Sequence, residues 1–444
     1  MAAIGLDIGS TSIKGAVLAA SGAIVGEVEK AAFPEPVQGL GPGSFEVDPE
    51  RVRIAAMDVL SRLLARAPGA GRLYLCGQMG GAILVDGGGR PASRYVSWRD
   101  QRSLDAKAGI APLDSARNRI DPATLDDTGR ELKPGSTSVL LHALAMEGAK
   151  MDGLHPATIG DAFAASLCGV PPRMHPTMAI GLIDLRKTMA AWHEGMVRAL
   201  GLGNLGWTRP ADLAEPVGHA RVEGKSLEVY STVGDQQCAL LGAGLEPGEL
   251  SLNASTGAQV SRIVPRHVPG PSQGRAYFGG LFLETITHIP AGRALHALVD
   301  LLTEVPRAQG LPVGDPWGTL TRLMAGREAT DLEVDLAFFP SPVGDAGRVG
   351  NITLGNLSAG DLLAAATRNL ADNLFACAKR LDPAASWTRA RLSGGLSHSL
   401  RPLVGRLEGL LFPSPVVESG QAEETLAGLA RIAAARGEPL HGKS

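Results

Sequence analysis

An acidic residue stands before a turn rich in glycine and hydroxyl groups near the start of the chain. Asp7 closes a run of β-prone residues, and Gly9, Ser10 and Thr11 follow it. A carboxylate at the end of a strand can hold a hydrated Mg²⁺, while the N–H groups and hydroxyls of such a turn can face phosphate oxygens. Asp7 is therefore a candidate metal ligand and the three turn residues are candidates for phosphate binding. An ordinary hairpin turn is the alternative interpretation.

A second acidic residue, Asp235, lies between Gly234 and Gln236. A carboxylate here can accept the proton of a substrate hydroxyl, and the amide of Gln236 can orient a polyol beside it. Phosphoryl transfer requires mainly positioning and charge neutralisation, so one such base is sufficient. A helix N-cap is the alternative role for Asp235, and the two roles are compatible.

Three residues suited to a sugar alternate in the motif W-x-D-x-R. They are Trp98, Asp100 and Arg102. Alternate side chains of an extended strand share one face, so an extended segment would present an indole ring, a carboxylate and a guanidinium together. An apolar ring surface with donors and acceptors suits a polyol. The alternative is an exposed Asp–Arg pair beside a packed Trp.

Two glycine-containing turns in the second half are candidates for nucleotide binding. Ser255, Thr256 and Gly257 offer hydroxyls and flexible backbone to the outer phosphates, and Gly394-Gly395 lets a flat adenine lie against main chain. Each also fits a simple turn. Neither the G-x-x-x-x-G-K-[ST] loop nor a G-x-G-x-x-G opening is present, which argues against the P-loop kinases and the dinucleotide fold.

The elements around these turns predict an α/β chain. Residues 3–8 and 13–19 are short β-prone runs flanking a polar turn, which indicates a hairpin. Asp48 as N-cap with Pro49 behind it predicts the start of a helix, and a strand at 73–76 leads into Gly77-Gln78-Met79-Gly80-Gly81. Helical spacing of apolar residues predicts further helices at 137–147 and 186–200.

The second half repeats this opening loosely. LDIGSTSIKG at 6–15 resembles LNASTGAQVS at 252–261, so a second hairpin is predicted at 250–264, as a two-lobed phosphate clamp would need. A long helix is predicted from Ser358, and residues 391–398 read as a strand whose glycine turn opens another helix.

Bulk properties limit the class of protein. A chain of 444 residues predicts two lobes, divided into residues 1–230 and 231–444. Only 4% of residues are aromatic, the net charge is −3 and no basic block occurs, so no nucleic-acid partner is expected. Four scattered cysteines without a C-x-x-C pair disfavour a zinc site or disulfides. No long apolar run and no charged leader occur, which predicts a cytoplasmic protein without membrane association.

The motifs together resemble the FGGY carbohydrate kinases in order and approximate spacing, over nearly the whole chain. The resemblance implies an α/β actin-like fold of two ribonuclease-H-type lobes with an interlobe cleft that holds the sugar and Mg-ATP. It makes residues 1–230 the sugar-binding lobe and residues 231–444 the ATP-binding lobe. The implied cofactors are ATP and Mg²⁺, and the implied partner is a small sugar. The oligomeric state stays open, with a homodimer as one alternative.

The same resemblance implies a role for each candidate residue. Asp235 would be the general base and Asp7 the metal ligand. The sugar site would be lined by Gln78, Met79, Trp98, Asp100, Arg102 and Gln236. The phosphates would face Gly9, Ser10, Thr11, Ser255, Thr256 and Gly257, and the adenosine would face Gly394 and Gly395.

Within the family, the second half looks most like the sedoheptulokinase branch. The run SLNASTGAQVS and the later Tyr277-Phe278 carry this likeness. Sedoheptulose is therefore the favoured acceptor, with D-xylulose and D-ribulose as alternatives and a non-catalytic sugar or nucleotide sensor as an alternative of another class. The chain departs from the family where Gly80 replaces a frequent histidine, in HPTMAIGLIDLR at 175–186, and where Leu396-Ser397-His398 follows the glycine turn.

Overall fold

The computed structural model describes residues 2–106, 109–437 and 440 of the chain. The protein has a mixed α/β fold, as predicted, and divides into two compact units. Unit 1 comprises Met1–Gly244, Pro265–Leu283 and Gln421–Ser444, and unit 2 comprises Leu245–Val264 and Glu284–Gly420. Residue 230, where the sequence placed its boundary, lies inside a strand of unit 1. The sugar- and ATP-binding roles of the two parts stay predictions.

Unit 1 contains strands of two to ten residues and helices that pack on them. Its strands are β1 Ala3–Ile8, β2 Ser12–Leu18, β3 Ile24–Ala32, β4 Glu46–Val47, β5 Arg72–Gly77, β6 Ile83–Val85, β7 Tyr95–Val96, β8 His155–Ala157, β9 Gly218–Val222, β10 Lys225–Gly234 and β13 Gln273–Ala276. Its helices are α1 Pro49–Arg66, α2 Pro112–Arg119, α3 Pro122–Asp127, α4 Thr137–Met146, α5 Ile159–Cys168, α6 Glu194–Ala199, α7 Asp235–Gly242 and α13 Glu424–Ala435.

The main sheet of unit 1 has the strand order β3-β2-β1-β5-β10-β9. The hairpin pairs β1 antiparallel to β2, whereas β1, β5 and β10 run parallel to one another. Helix α1 covers one face with Val59, Leu60, Leu63 and Leu64, which are all buried. The carboxyl ends of the three parallel strands therefore meet at one edge, which is where α/β sheets usually bind ligands.

Unit 2 has a similar arrangement of its own elements. Its strands are β11 Leu250–Ala254, β12 Gly257–Val264, β14 Phe282–Pro290, β15 Glu333–Asp335, β16 Arg348–Gly350, β17 Ala390–Ser393 and β18 Val416–Glu418. The first two residues of β14 belong to unit 1, because the second stretch of unit 2 begins at Glu284. Its helices are α8 Gly292–Ala308, α9 Pro316–Met324, α10 Ala359–Leu381, α11 Gly395–Ser399 and α12 Arg401–Leu411.

The sheet of unit 2 places its strands in the order β14-β12-β11-β17-β18. The hairpin β11–β12 is antiparallel, and β11 is followed across the sheet by the parallel strands β17 and β18. The hairpin with parallel neighbours thus occurs in both units, which confirms the predicted duplication of the β-turn-β segment. Buried Leu363, Leu370 and Leu374 of α10 pack into the core of this unit.

Most predicted elements are confirmed at their ends. Strand β1 matches the predicted residues 3–8, and Asp48 caps α1 by accepting a hydrogen bond from the N–H of Glu50 at 2.9 Å. Ser358 likewise caps α10, its hydroxyl accepting from the N–H of Asp361 at 3.1 Å. Within the described residues no helix is long and apolar enough to span a membrane.

The helix predicted at residues 186–200 is largely wrong, because only α6, Glu194–Ala199, is helical. The N–H of Asp184 donates to the carbonyl of Ala191 at 2.9 Å and the N–H of His193 to that of Leu182 at 2.8 Å, so the chain turns back on itself. His193 then caps α6, its Nδ1 accepting from the N–H of Met196 at 3.1 Å. These local bonds outcompete the apolar periodicity.

Candidate active site

Three candidate residues follow the carboxyl ends of neighbouring parallel strands in unit 1. Asp7 lies at the end of β1, Gln78 directly follows β5, and Asp235 directly follows β10. The register pairs both Asp7 and Val233 with Cys76 of the central strand. Adjacent strands lie about 4.8 Å apart, so the backbones that carry the two carboxylates are separated by roughly 10 Å. The structure thus brings Asp7, Gln78 and Asp235 to one edge.

Asp7 is buried and only partly satisfied by protein. Its Oδ2 accepts a hydrogen bond from the Thr425 hydroxyl at 2.8 Å, and its Oδ1 has no hydrogen-bond partner among the described residues. Burial raises the pKa of Asp7, and the Thr425 bond and the charge of Lys14 offset only part of this effect. Lys14 itself is bound to Glu423 at 2.6 Å. Such an oxygen is uncommon in folded proteins, and a water molecule or an ion could satisfy it.

The turn after Asp7 has the geometry expected of a tight hairpin. The N–H of Gly9 donates to the carbonyl of Ser12 at 3.1 Å, and Thr11 is exposed while Ser10 is half-buried. The side chain of Gln78 donates to the carbonyl of Gly9 at 3.4 Å, and its Oε1 is buried without a partner in the described residues. Gln78 and the turn are therefore neighbours, as their proposed roles require.

Asp235 is the first residue of α7. Its Oδ1 accepts a hydrogen bond from the N–H of Gln236 at 2.7 Å. Burial, reinforced by the negative charge of Asp7, raises the pKa of Asp235 to about 7, although the Gln236 N–H and the charge of Arg275 act in the opposite direction. A carboxyl with a pKa near neutrality at a ligand-binding edge has the properties of a general base.

Close packing at Gly234 fixes the entry into α7. A side chain at Gly234 would come within 2.9 Å of the Thr177 carbonyl oxygen and still closer to the sulfur of Met79. The N–H of Gly234 donates to the Thr177 hydroxyl at 3.0 Å. Met79, predicted for the sugar site, therefore lies beside the helix turn that carries Asp235.

Gln236 belongs to a buried group of charges that the sequence did not indicate. Arg275 of β13 donates from Nη1 to the Gln236 Oε1 and from Nε to a Glu131 oxygen, the latter at 2.5 Å. Lys133 lies 3.3 Å from the other oxygen of Glu131. Burial alone raises the pKa of Glu131, but the charges of Arg275 and Lys133 hold it below its usual range. No local motif marks Arg275, which lies in a glycine-rich segment.

The W-x-D-x-R segment is not an extended strand, so the expected shared face of its three side chains does not form. Trp98 and Arg99 form a turn, and Asp100 donates its N–H to the carbonyl of Ser97 at 3.0 Å. Asp100 is fully buried, and its oxygens accept from the N–H of Phe45 at 2.7 Å and from the Arg102 Nε at 2.9 Å. Trp98 is 41% exposed.

The three members of this motif differ in exposure, and their roles in sugar binding stay predictions. Arg102 is also bound to Glu46 at 2.5 Å, so the Asp100–Arg102 pair is enclosed by protein and holds the turn in shape. Trp98 keeps an accessible ring. Next to it, Gly80 has a φ of 80°, and a side chain there would approach the Gly135 carbonyl oxygen to 2.7 Å. This geometry accounts for glycine at this position.

In unit 2 the two predicted nucleotide turns lie against each other. The Asn253 side chain donates to the Ser393 hydroxyl at 2.9 Å, and Gly394 has a φ of 93°. A side chain at Gly394 would come within 2.6 Å of the Ser255 hydroxyl oxygen. Gly394 and Gly395 thus adjoin the turn of Ser255, Thr256 and Gly257.

The start of α8 also contacts this turn, which the sequence did not reveal. The N–H groups of Gly292 and Arg293 donate to the carbonyls of Ser255 and Thr256 at 3.0 and 2.8 Å. Arg293 stacks on the Phe339 ring at 4.3 Å. These bonds fix the start of α8 against the predicted phosphate turn.

Comparisons with known proteins point to one class of enzyme. The chain is 25% identical to the sedoheptulokinase of Mus musculus, covering 93% of each chain, and 24% identical to that of Homo sapiens, covering 97% of this chain and 96% of the relative. The solved structure of a ligand-bound xylulose kinase from Lactobacillus acidophilus superposes with a TM-score of 0.81 at 17% identity, over 99% of this chain and 90% of the other. No model of a known protein family matches the chain. The structural likeness confirms the predicted fold class.

Proposed function

We propose that this protein is an ATP-dependent carbohydrate kinase that phosphorylates a ketose hydroxyl, with sedoheptulose as the favoured acceptor. The relatives at about 25% identity over nearly the full chain are both sedoheptulokinases, and sugar kinases share its fold, which supports a carbohydrate kinase. The observation that carries the proposal is Asp235. It stands at the ligand-binding edge of the unit 1 sheet with a pKa raised to about 7.

Asp235 would act as the general base. Its carboxylate takes the proton of the acceptor hydroxyl as that oxygen attacks the γ-phosphorus of ATP, and the bond to the β,γ-bridging oxygen breaks. A pKa near 7 leaves much of the carboxylate ionised at neutral pH while keeping it basic enough to hold the proton. Gln78, Met79 and Gln236 border the same edge and would orient the sugar, with the accessible ring of Trp98 as an apolar surface.

The residues present fit a Mg²⁺ ion at Asp7. The free Oδ1 of that buried carboxylate is a hard oxygen ligand, and Mg²⁺ is commonly held by one or two carboxylates together with waters and substrate phosphates. The ion would neutralise charge on the phosphates of ATP. In the described residues no group of three or more acidic, histidine or cysteine side chains could hold a metal ion.

The turns would hold the nucleotide. In unit 1, Ser10 and Thr11 offer N–H groups and hydroxyls beside Asp7, and Gly9 lets phosphate approach the main chain although its own N–H is bound to the Ser12 carbonyl. In unit 2, Ser255, Thr256 and Gly257 offer N–H groups and hydroxyls beside Gly394 and Gly395. Backbone N–H groups and hydroxyls are the usual protein donors to phosphate oxygens. A side chain at Gly395 would meet no atom within 4 Å, so there is room for a flat base beside the main chain at this residue.

A screen for ADP release over a panel of ketoses and polyols tests the activity. We expect Mg-ATP-dependent turnover with at least one ketose, and the Asp235→Asn variant should lose about 10²–10⁴-fold in kcat while binding the acceptor. Asp315→Asn is a matched control, because Asp315 caps α9 by accepting from the Gly318 N–H at 2.9 Å and has no role in the site. Ligand-induced thermal shifts without any phosphorylated product would instead identify a sensor.

A further inference from the structure

The excursion Pro265–Leu283 returns the chain to unit 1 between two stretches of unit 2 and contacts the surroundings of Asp235. Gly274 of β13 donates its N–H to the carbonyl of Gly129 at 3.0 Å, and the Gln237 side chain donates to the carbonyl of Ala276 at 3.3 Å. Arg275, between these two contacts, bonds Gln236. The strand therefore joins the segment after α3 to the first turn of α7.

Arg275 is held from two sides. Glu131, which is 3% exposed, accepts from its Nε at 2.5 Å, while Gln236 accepts from its Nη1. The fixed fork of a guanidinium suits this double contact, which a lysine cannot reproduce. Gln236 in turn donates its backbone N–H to Asp235 Oδ1 at 2.7 Å. A chain of hydrogen bonds thus runs from Glu131 through Arg275 and Gln236 to Asp235.

Several charged groups surround Asp235. Glu131 is an anion that pairs with two cations, Arg275 and Lys133. A buried charge is costly unless it is compensated nearby. The titratable or charged groups around Asp235 come from several elements: Asp7 of β1, Cys76 of β5, Tyr95 of β7 and Arg275 of β13, with Glu131 and Lys133 behind Arg275.

Asp7 and Arg275 act on Asp235 in opposite directions. The negative charge of Asp7 favours the protonated form of Asp235, whereas the guanidinium favours the carboxylate. A Mg²⁺ ion that neutralises Asp7 would remove only the first effect. Arg275 is thus the neighbouring cation of this chain that keeps the base ready to accept a proton.

We propose that Arg275, anchored by Glu131, is a positioning residue for the phosphoryl-transfer step: it fixes Gln236 at the start of α7 and keeps Asp235 in its ionised form. This inference rests on the proposed function of Asp235. Nothing in the short motifs around Asp235 assigns the role, since Arg275 reaches the site from the excursion. It predicts separable effects of charge and of geometry.

Arg275→Gln and Arg275→Lys separate these effects. Arg275→Gln removes the charge, so kcat/KM should fall about tenfold at pH 6 and recover to within about threefold of wild type at pH 9, where the base is ionised in both proteins. Arg275→Lys keeps the charge but loses the fork, so it should retain the wild-type pH profile with a smaller loss in kcat that is equal at every pH. The KM for Mg-ATP should change less than about threefold in both.

Arg262→Gln is the matched control, since Arg262 forms a comparable partly buried pair with Glu284 at 2.8 Å in unit 2. It should leave the pH profile unaltered. The titration of Asp235 should also be followed directly in the intact protein by carbon NMR of labelled aspartate, with the resonance assigned by Asp235→Asn. We expect the Asp235 midpoint to move to higher pH in Arg275→Gln only.

The outcomes distinguish failure of the proposed kinase function from failure of the role proposed for Arg275. If wild type phosphorylates no acceptor while the Asp235 midpoint still moves in Arg275→Gln, the proposed function is wrong and the electrostatic role of Arg275 stands. If the midpoint is unchanged and the activity deficit of Arg275→Gln is the same at every pH, Arg275 has a merely structural role and the inference is overturned.

Discussion

The pH dependence of turnover provides the most direct test of the base. With a pKa of about 7, Asp235 is ionised in roughly one molecule in ten at pH 6 and roughly one in a hundred at pH 5. Since only the carboxylate accepts the hydroxyl proton, kcat/KM for the acceptor should rise about tenfold per pH unit up to pH 6 and level off above pH 8. An aspartate with an ordinary pKa near 4 would give an almost flat profile over this range.

The assay is coupled ADP release at saturating Mg-ATP and low acceptor concentration, with buffers of constant ionic strength and excess coupling enzymes at every pH. Asp7 is another carboxyl at this edge whose pKa burial raises, so the group responsible for the rise in kcat/KM must be identified. If Asp7 causes the rise of kcat/KM with pH, the rise should move to lower pH as the Mg²⁺ concentration increases, because the metal favours the ionised form. If Asp235 causes it, the rise should move little. A flat profile between pH 5 and pH 8 would refute the raised pKa and the base assigned from it.

Three further substitutions test the surroundings. Asp161→Asn should stabilise the protein by up to about 4 kcal/mol at pH 8 and by little at pH 4. The reason is that burial raises the pKa of Asp161 to about 7, so the wild-type protein loses stability as the pH rises towards that value. Melting temperatures measured across this pH range check the prediction. Gly394→Ala should destabilise by about 2 kcal/mol or more in denaturant unfolding, since its φ is 93°, whereas Gly395→Ala, where a side chain meets open space, should not. Thr425→Val should remove the hydrogen bond to Asp7 for about 1 kcal/mol of stability and raise the Mg²⁺ concentration needed for half-maximal turnover; an unchanged requirement would separate Thr425 from the metal site.

Local patterns predicted the parts of the site that a few consecutive residues determine. The β-prone runs that flank the polar turns near Asp7 and Ser255 predicted two hairpins, and Asp48 and Ser358 predicted two helix starts, because these structures depend on neighbouring residues. The W-x-D-x-R segment turns at Trp98 and Arg99 and is not extended, and the sugar-binding role of its three residues stays a prediction. Asp100 takes its hydrogen bonds from Phe45 and Arg102, and a contact partner 55 residues away leaves no trace in the motif.

Residues that act through long-range contacts were not predictable from spacing. Thr425 binds Asp7 from 418 residues along the chain, and Arg275 binds Gln236 from a segment with the composition of a loop. Both arrive on pieces of chain that leave unit 2 and rejoin unit 1. A division at residue 230 assigned both pieces to the second lobe, because sequence order alone gives no sign of such a return.

These returns have a physical consequence for the proposed chemistry. A carboxylate at the end of a strand is only as well placed as the groups that hold its side chain, and both candidate carboxylates depend on late segments: Asp7 on the hydroxyl of Thr425 and Asp235 on Arg275 through Gln236. Burial raises the pKa of each, so each needs a partner that offsets the cost of its charge. In the proposed mechanism, that partner for Asp7 is a metal ion supplied with the substrate. Asp235 must remain free to take a proton, so the cation that stabilises its charge should not bond to it directly. Arg275 meets this requirement, because it bonds the Gln236 side chain and Gln236 in turn bonds Asp235.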